Sequence, residues 1–431
     1  MPCMLPLKVT LTQRLSSQLS PRRNTAFRPT REPLRDDAAL QLQHSRVTGP
    51  VPFLNPTRAH FRHEARPDVR FKWTSRNNRK GRHAIAISPH QVSAESKHDT
   101  PRASSSSGSI VHGIWRMLTY YPIWDISFDI AYVFTIGSVV WVMNAFFVFL
   151  PLVAPDTMFK KEELYGGGIT AFIGATIFEF GSFLLMAEAL NENRSGCFGW
   201  AVQHALSHKE EEEGKGARLR PSKSQCTHHH FNKRNLVGAG QNSASKHEPG
   251  ADARSWVWWP SNEELRTHYI HSLGFLACLF QLLGATVFWI SGLTALPGIY
   301  NRMSRPISII FYWTPQVIGG TGFIISGSLF MLETQSKWWR PAPRTLGWWI
   351  GLWNLIGGIG FTMCPAFGYD QNSWAQYQAC LSTFWGSWAF LIGSVIQWYE
   401  SLDKFPVELK KSGTRQSQEP ERVDDTKRAA A

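Results

Sequence analysis

The sequence predicts an all-α protein, a six-helix transmembrane bundle of three two-helix hairpin repeats, with a disordered N-terminal tail and a disordered cytosolic loop. Two observations carry that prediction. Six apolar stretches approach the roughly 20 residues needed to cross a bilayer: Ile130 to Leu152, Gly167 to Leu190, Ile270 to Leu293, Ile307 to Leu332, Leu346 to Ala366 and Tyr377 to Tyr399. Every second stretch carries glycines seven residues apart, Gly174 and Gly181, Gly320 and Gly327, Gly386 and Gly393, and runs on to a glutamate, Glu188, Glu333 or Glu400. Self-similarity on this scale marks an architecture made by stacking one unit. The 19 tryptophans fit it, because indoles collect at headgroup depth.

Residues 1–108 are rich in Arg, Ser, Pro and His and read as a disordered basic tail, with too few large apolar residues to bury a core. No apolar h-region opens the chain, so the first span is expected to serve as the insertion signal. The first thirty residues, Arg-rich and free of acids, also resemble a mitochondrial transit peptide, which leaves the organelle open.

Residues 109–190 read as an interfacial helix, Ile110 to Trp124, followed by the first hairpin. Paired aromatics and a proline precede each hairpin: Tyr120-Tyr121-Pro122, Trp258-Trp259-Pro260, and Trp338-Trp339 with Pro341. Such aromatics anchor a helix entry, and proline suits its first turn. Residues 191–255 form a His-, Glu- and Lys-rich loop that reads as disordered. Hairpins two and three follow over 256–335 and 336–404, and residues 405–431 are a charged tail.

The net charge of +13 resides in tails and loops, on no periodic face, so it argues for topology and against nucleic acid. Lys and Arg crowd the tails and even-numbered connections, whereas the odd ones hold only Lys160, Lys161, Arg302 and Arg305. The positive-inside rule then puts both termini in the cytosol. The expected partner is the lipid bilayer; protein partners are open, a homo-oligomer among them.

Positions seven apart return to one helix face, so each glycine pair makes a flat strip for a neighbouring backbone or for a central pathway. The odd helices match too, with Gly137, Gly284 and Gly357 each leading after seven residues to Asn144, Ser291 or Cys364. Glu188, Glu333 and Glu400 read as interfacial carboxylates paired with Arg194, Lys337 and Lys404, or as a ring of charge at a pore mouth.

Glu179 breaks the repeat. Aligned on the glycines it stands opposite Ile325 and Leu391, and an ionisable residue at that depth costs at least ~2.5 kcal/mol on insertion scales. Asn144, Gln281 and Asn354 are its candidate partners in an intramembrane polar site. It serves there either as a structural hydrogen bond or in proton or ion binding.

No enzyme motif is present, neither H-E-x-x-H nor P-loop, nucleophile elbow or dinucleotide turn, and no cofactor is implied. The six cysteines show no C-x-x-C pair. His204, His208, Cys226 and His228 to His230 have ligand chemistry but lie in low-complexity sequence that reads as solvated. The three-hairpin count matches mitochondrial carriers, but their Pro-x-Asp/Glu-x-x-Lys/Arg signature is missing.

The run Trp385-Gly386-Ser387-Trp388-Ala389-Phe390-Leu391-Ile392-Gly393-Ser394, with Trp258-Trp259-Pro260-Ser261 and Glu264 to Tyr269, resembles a family of fungal multi-pass membrane proteins of unassigned activity. The third hairpin is also similar to the two-helix YrhK-type membrane domain. Both resemblances imply a membrane location and a helical fold, in a structural, sensory or small-solute transport role; neither implies a catalytic residue.

Overall fold

The computed structural model describes residues 40–63, 69–82, 84–87, 107–192, 194–198, 256–404 and 406–409. Six of its helices are long and apolar enough to cross a bilayer: α3 (Ile126–Val153), α4 (Glu163–Leu190), α6 (Leu273–Thr294), α7 (Arg305–Thr334), α8 (Leu346–Gly368) and α9 (Ser373–Leu402). They make this a multi-pass membrane protein, with spans close to those the apolar stretches predict. Their outward side chains are mostly apolar, Ile136, Met143, Phe180, Phe183, Leu283, Ile310 and Ile392 among them, as a lipid-facing surface requires.

Each spanning helix packs against its neighbours in the sequence, and α9 packs back on α3, so the six close into a ring. A core of aromatics fills its middle, with every helix contributing: Phe134 and Trp141, Phe178, Phe288, Phe323, Phe361 and Phe390. Their rings meet mostly edge to face, Trp141 on Phe361 at 4.8 Å and Phe361 on Phe390 at 5.2 Å. Offset and edge contacts suit the ring quadrupole.

The glycine strips act in this packing. A Cβ on Gly174 would lie 2.9 Å from the Trp141 ring, and one on Gly386 3.2 Å from Phe361, so both serve contact with the preceding helix of their own hairpin. Gly181 and Gly393 likewise face Phe134 and Trp353. Gly320 and Gly327 instead face Thr362 and Leu355 of the following helix, α8. In the second hairpin it is Gly319 that faces Phe288 of α6, at 2.7 Å from its Cβ. The alignment on Gly320 and Gly327 is therefore one residue out of register. Counting back from the glutamates restores it, because Phe178, Phe323 and Phe390 each stand ten residues before Glu188, Glu333 and Glu400.

The expectation of a disordered tail through residue 108 gives way between residues 40 and 87. Strands β1 (Leu40–Leu42), β2 (Arg58–His63), β3 (Val69–Thr74) and β4 (Ala84–Ile87) form an antiparallel sheet, and β5 (Val407–Leu409), from beyond the last span, adds to β4 in parallel. Both ends of the described chain thus lie on one side of the ring, called here the sheet face. In β2 and β3 the residues alternate, Ala59, Phe61, Phe71 and Trp73 being buried between Arg58, His60, Arg70 and Lys72.

A short helix, α1 (Ser75–Arg79), follows β3 and is capped by Thr74, whose hydroxyl accepts from Asn77 N at 3.1 Å. The helix expected over Ile110 to Trp124 is α2 (Ser107–Thr119), which ends sooner, with Ile110, Val111, Ile114, Trp115 and Leu118 exposed along it and Met117 buried on Phe128 and Leu402. One further short helix, α5 (Asn262–Thr267), starts in a Ser261–Glu264 capping box. Most of the loop 191–255, with its His and Cys cluster, and the tail beyond residue 409 lie outside the described residues.

Candidate functional site

Two features lie on the axis of the ring. At the sheet face, the segment 75–82 enters as a strap between helix ends. Its sequence, Ser-Arg-Asn-Asn-Arg-Lys-Gly-Arg, sets Arg76 and Arg79 one helical turn apart, and Gly81 at φ +61° turns the chain back out. A Cβ at Gly81 would also stand 2.6 Å from Ser195 Oγ.

The strap meets all three glutamates. Arg79 donates to Glu188 Oε2 at 3.0 Å and to Glu333 Oε2 at 2.8 Å. Arg76 donates to Glu400 Oε2 at 2.7 Å, Arg82 to Glu400 Oε1 at 3.0 Å, and Lys80 Nζ stands 3.8 Å from Glu400. Hydroxyls complete the carboxylates: Ser127 donates to Glu188 at 2.5 Å and Ser75 to Glu333 at 3.0 Å. Glu188, Glu333 and Glu400 are at most 2% exposed, and Arg79 stacks on Phe330 at 5.3 Å. Two glycines make room, since a Cβ on Gly274 would lie 2.5 Å from Glu333 Oε1 and one on Gly347 2.5 Å from Arg76 Nε.

Burial alone would lower the pKa of the Arg79 guanidinium, but Glu333 and Glu188 hold it above the ordinary arginine value. Lys80 goes the other way: burial outweighs the pull of Glu188, Arg76 adds repulsion, and its ammonium is lowered to about 8.

The three glutamates are therefore buried receptors for the strap, not interfacial anchors. Lys337 lies over the Trp339 ring and Lys404 pairs with Asp125 at 2.5 Å, so neither serves the glutamate four residues before it. The strap falls within residues 1–108, where composition predicts a disordered tail. The available signal was four cations within 76–82 behind two short alternating strands.

On the far face the ring opens into a chamber of about 400 Å³. Trp141, Phe288 and Phe361 line its inner end, and Asn144, Ser291 and Cys364, each three residues further on, line its wall with Gln316 and Thr383. Trp141 Nε1 has no acceptor among the described residues. Two π-helical turns border the chamber, over Glu163–Gly167 in α4 and Ile309–Trp313 in α7. Such turns recur at functional sites because they free backbone groups and redirect side chains. Asn144 fills that need in α4, donating to Gly167 O at 2.6 Å and to Thr170 Oγ1 at 3.0 Å.

The proposed polar site around Glu179 does not assemble. Glu179 accepts from Thr286 Oγ1 at 2.9 Å and lines neither axial space. Asn144 belongs to the chamber, whereas Gln281 and Asn354 line a small cavity beneath the strap, where Asn354 donates to Ile350 O at 2.9 Å. The four residues share no site because three of them turn inward and Glu179 turns toward the α4–α6 seam.

Comparison with family models, with curated proteins and with solved structures found no match to this chain.

Proposed function

We propose that this chain is a membrane transport protein whose far-face chamber takes a small, uncharged polar solute. The observation that carries the reading is the chamber on the ring axis, with matched polar positions above an aromatic floor. Largely apolar walls with a few convergent polar groups are the usual make-up of a small-molecule site. The aromatic layer closes the inner end, so passage takes a rocking of hairpins and not an open bore. Three copies of one hairpin, with Glu188, Glu333 and Glu400 as equivalent ends, supply the units that rock. By the positive-inside rule the sheet face is cytosolic.

Reconstituted vesicles test this by the osmotic uptake of glycerol, urea and a monosaccharide. Wild type is expected to pass at least one faster than empty vesicles, and Asn144→Leu or Thr383→Val to slow it. Rates equal to empty vesicles for the whole panel would remove the transport reading.

A structural or sensory role is the second reading, favoured by the strap. A soluble sheet that grips the ends of all three hairpins through buried ion pairs is built to sense or hold the state of the ring.

A further inference from the structure

Between the strap and the aromatic layer lies a cavity of about 30 Å³. A space of that size admits one or two water-sized guests. Arg76, Arg79 and Lys80 form its roof, and Phe134, Phe178, Leu185, Phe330 and Ile350 much of its wall.

Two features call for a guest of negative charge. Four buried strap cations, Arg76, Arg79, Lys80 and Arg82, face three buried carboxylates, Glu188, Glu333 and Glu400, which leaves one buried positive charge in excess; Lys404 and Asp125 nearby neutralise each other, and Glu192, which accepts from Asn78 at 3.1 Å, is part-exposed at the strap's edge. A buried charge without a partner is costly and draws in a counter-charge or sheds its proton. Unused donors also surround the cavity. Lys80 Nζ and Arg79 Nε, themselves packed in beside it, have no hydrogen-bond acceptor among the described residues. The side chains of Gln281 and Gln397, 8% and 7% exposed, line the cavity from α6 and α9 without a hydrogen bond to another described residue.

We propose that this cavity is a binding site for a single monovalent halide, chloride being the natural occupant, held by the amide N–H groups of Gln281 and Gln397 beneath the positive charge of Lys80. The ion neutralises the excess charge of the strap. It therefore couples the seating of the sheet on the ring to the anion supply on that side.

The test uses the full-length protein in detergent at about pH 6.5, where Lys80 is charged, with chloride titrated against gluconate at constant ionic strength. Chloride and bromide are expected to raise the melting temperature saturably by several degrees, and Gln397→Leu, which leaves every ion pair in place, to weaken that response at least tenfold. Lys80→Met is expected to abolish it. In bromide-soaked crystals an anomalous peak should lie beneath Lys80. Equal melting temperatures in the two salts, or a cavity holding only water, would overturn the proposal. So would an undiminished response in Gln397→Leu.

Discussion

Arg79 joins Glu188 to Glu333, with one guanidinium nitrogen 3.0 Å from the first carboxylate and the other 2.8 Å from the second. A residue that precedes every spanning helix thus ties together the ends of the first and second hairpins. Removing one member of a buried pair strands the other, at a cost of about 3–5 kcal/mol. Arg79→Met is expected to lower stability by that amount, and the Arg79→Met, Glu333→Gln double variant by less than the sum. Denaturation in detergent across the mutant cycle measures the coupling.

Lys80 gives the pH dependence its sign. Its ammonium is at about 8 when folded against an ordinary lysine value of 10.5, so the unfolded chain binds more protons between those values and stability rises with pH across that window. Below about 8 both states are protonated and the full penalty, on the order of 3 kcal/mol, persists. Lys80→Met should therefore be more stable than wild type at pH 7 in chloride-free buffer and lose the rise between about pH 8 and 10. Melting temperatures over that range decide it.

Gly274 carries a steric prediction. Its Cβ would lie 2.5 Å from Glu333 Oε1 and 2.9 Å from Arg79 Nε, groups fixed by their pairing. Gly274→Ala is expected to cost about 1–3 kcal/mol through overpacking. Gly108→Ala, which meets nothing within 4 Å, should cost nothing of that kind. Thermal unfolding of the two variants side by side is the check.

Glu179→Leu should be stabilising. The carboxylate receives one hydrogen bond, from a Thr286 hydroxyl that also donates to Leu282 O, and its second oxygen has no partner among the described residues. One shared bond of about 0.5–1.5 kcal/mol does not offset an ionisable group at that depth. A higher melting temperature with unchanged solute uptake is the expected result.

The spanning helices were legible because bilayer thickness fixes their length and lipid fixes their composition. Asn144, Ser291 and Cys364 were legible as matched positions, and the structure gives them a common chamber. The register of the second hairpin was not, because Gly319, Gly320 and Gly322 crowd one segment and spacing alone does not say which neighbour each faces. The strap was missed for a different reason. Its arginines resemble any basic tail, and their partners lie 109 to 324 residues away, a separation no local pattern reports. Glu188, Glu333 and Glu400 were legible as a set, but helical spacing favoured Lys337 and Lys404 for the last two, whereas the fold delivers buried arginines to them from the strap.

The chamber as a solute path is the central claim, and Cys380 gives direct access to it. Cys364 and Cys380 both line the chamber, whereas Cys278 is fully buried beside Arg79. In a variant that keeps Cys380 alone, a bulky thiol reagent added from the far face is expected to react and to stop uptake of whichever solute the wild type passes. A matching Cys380→Ala protein should keep its uptake. Full labelling of Cys380 with uptake unchanged would contradict the account.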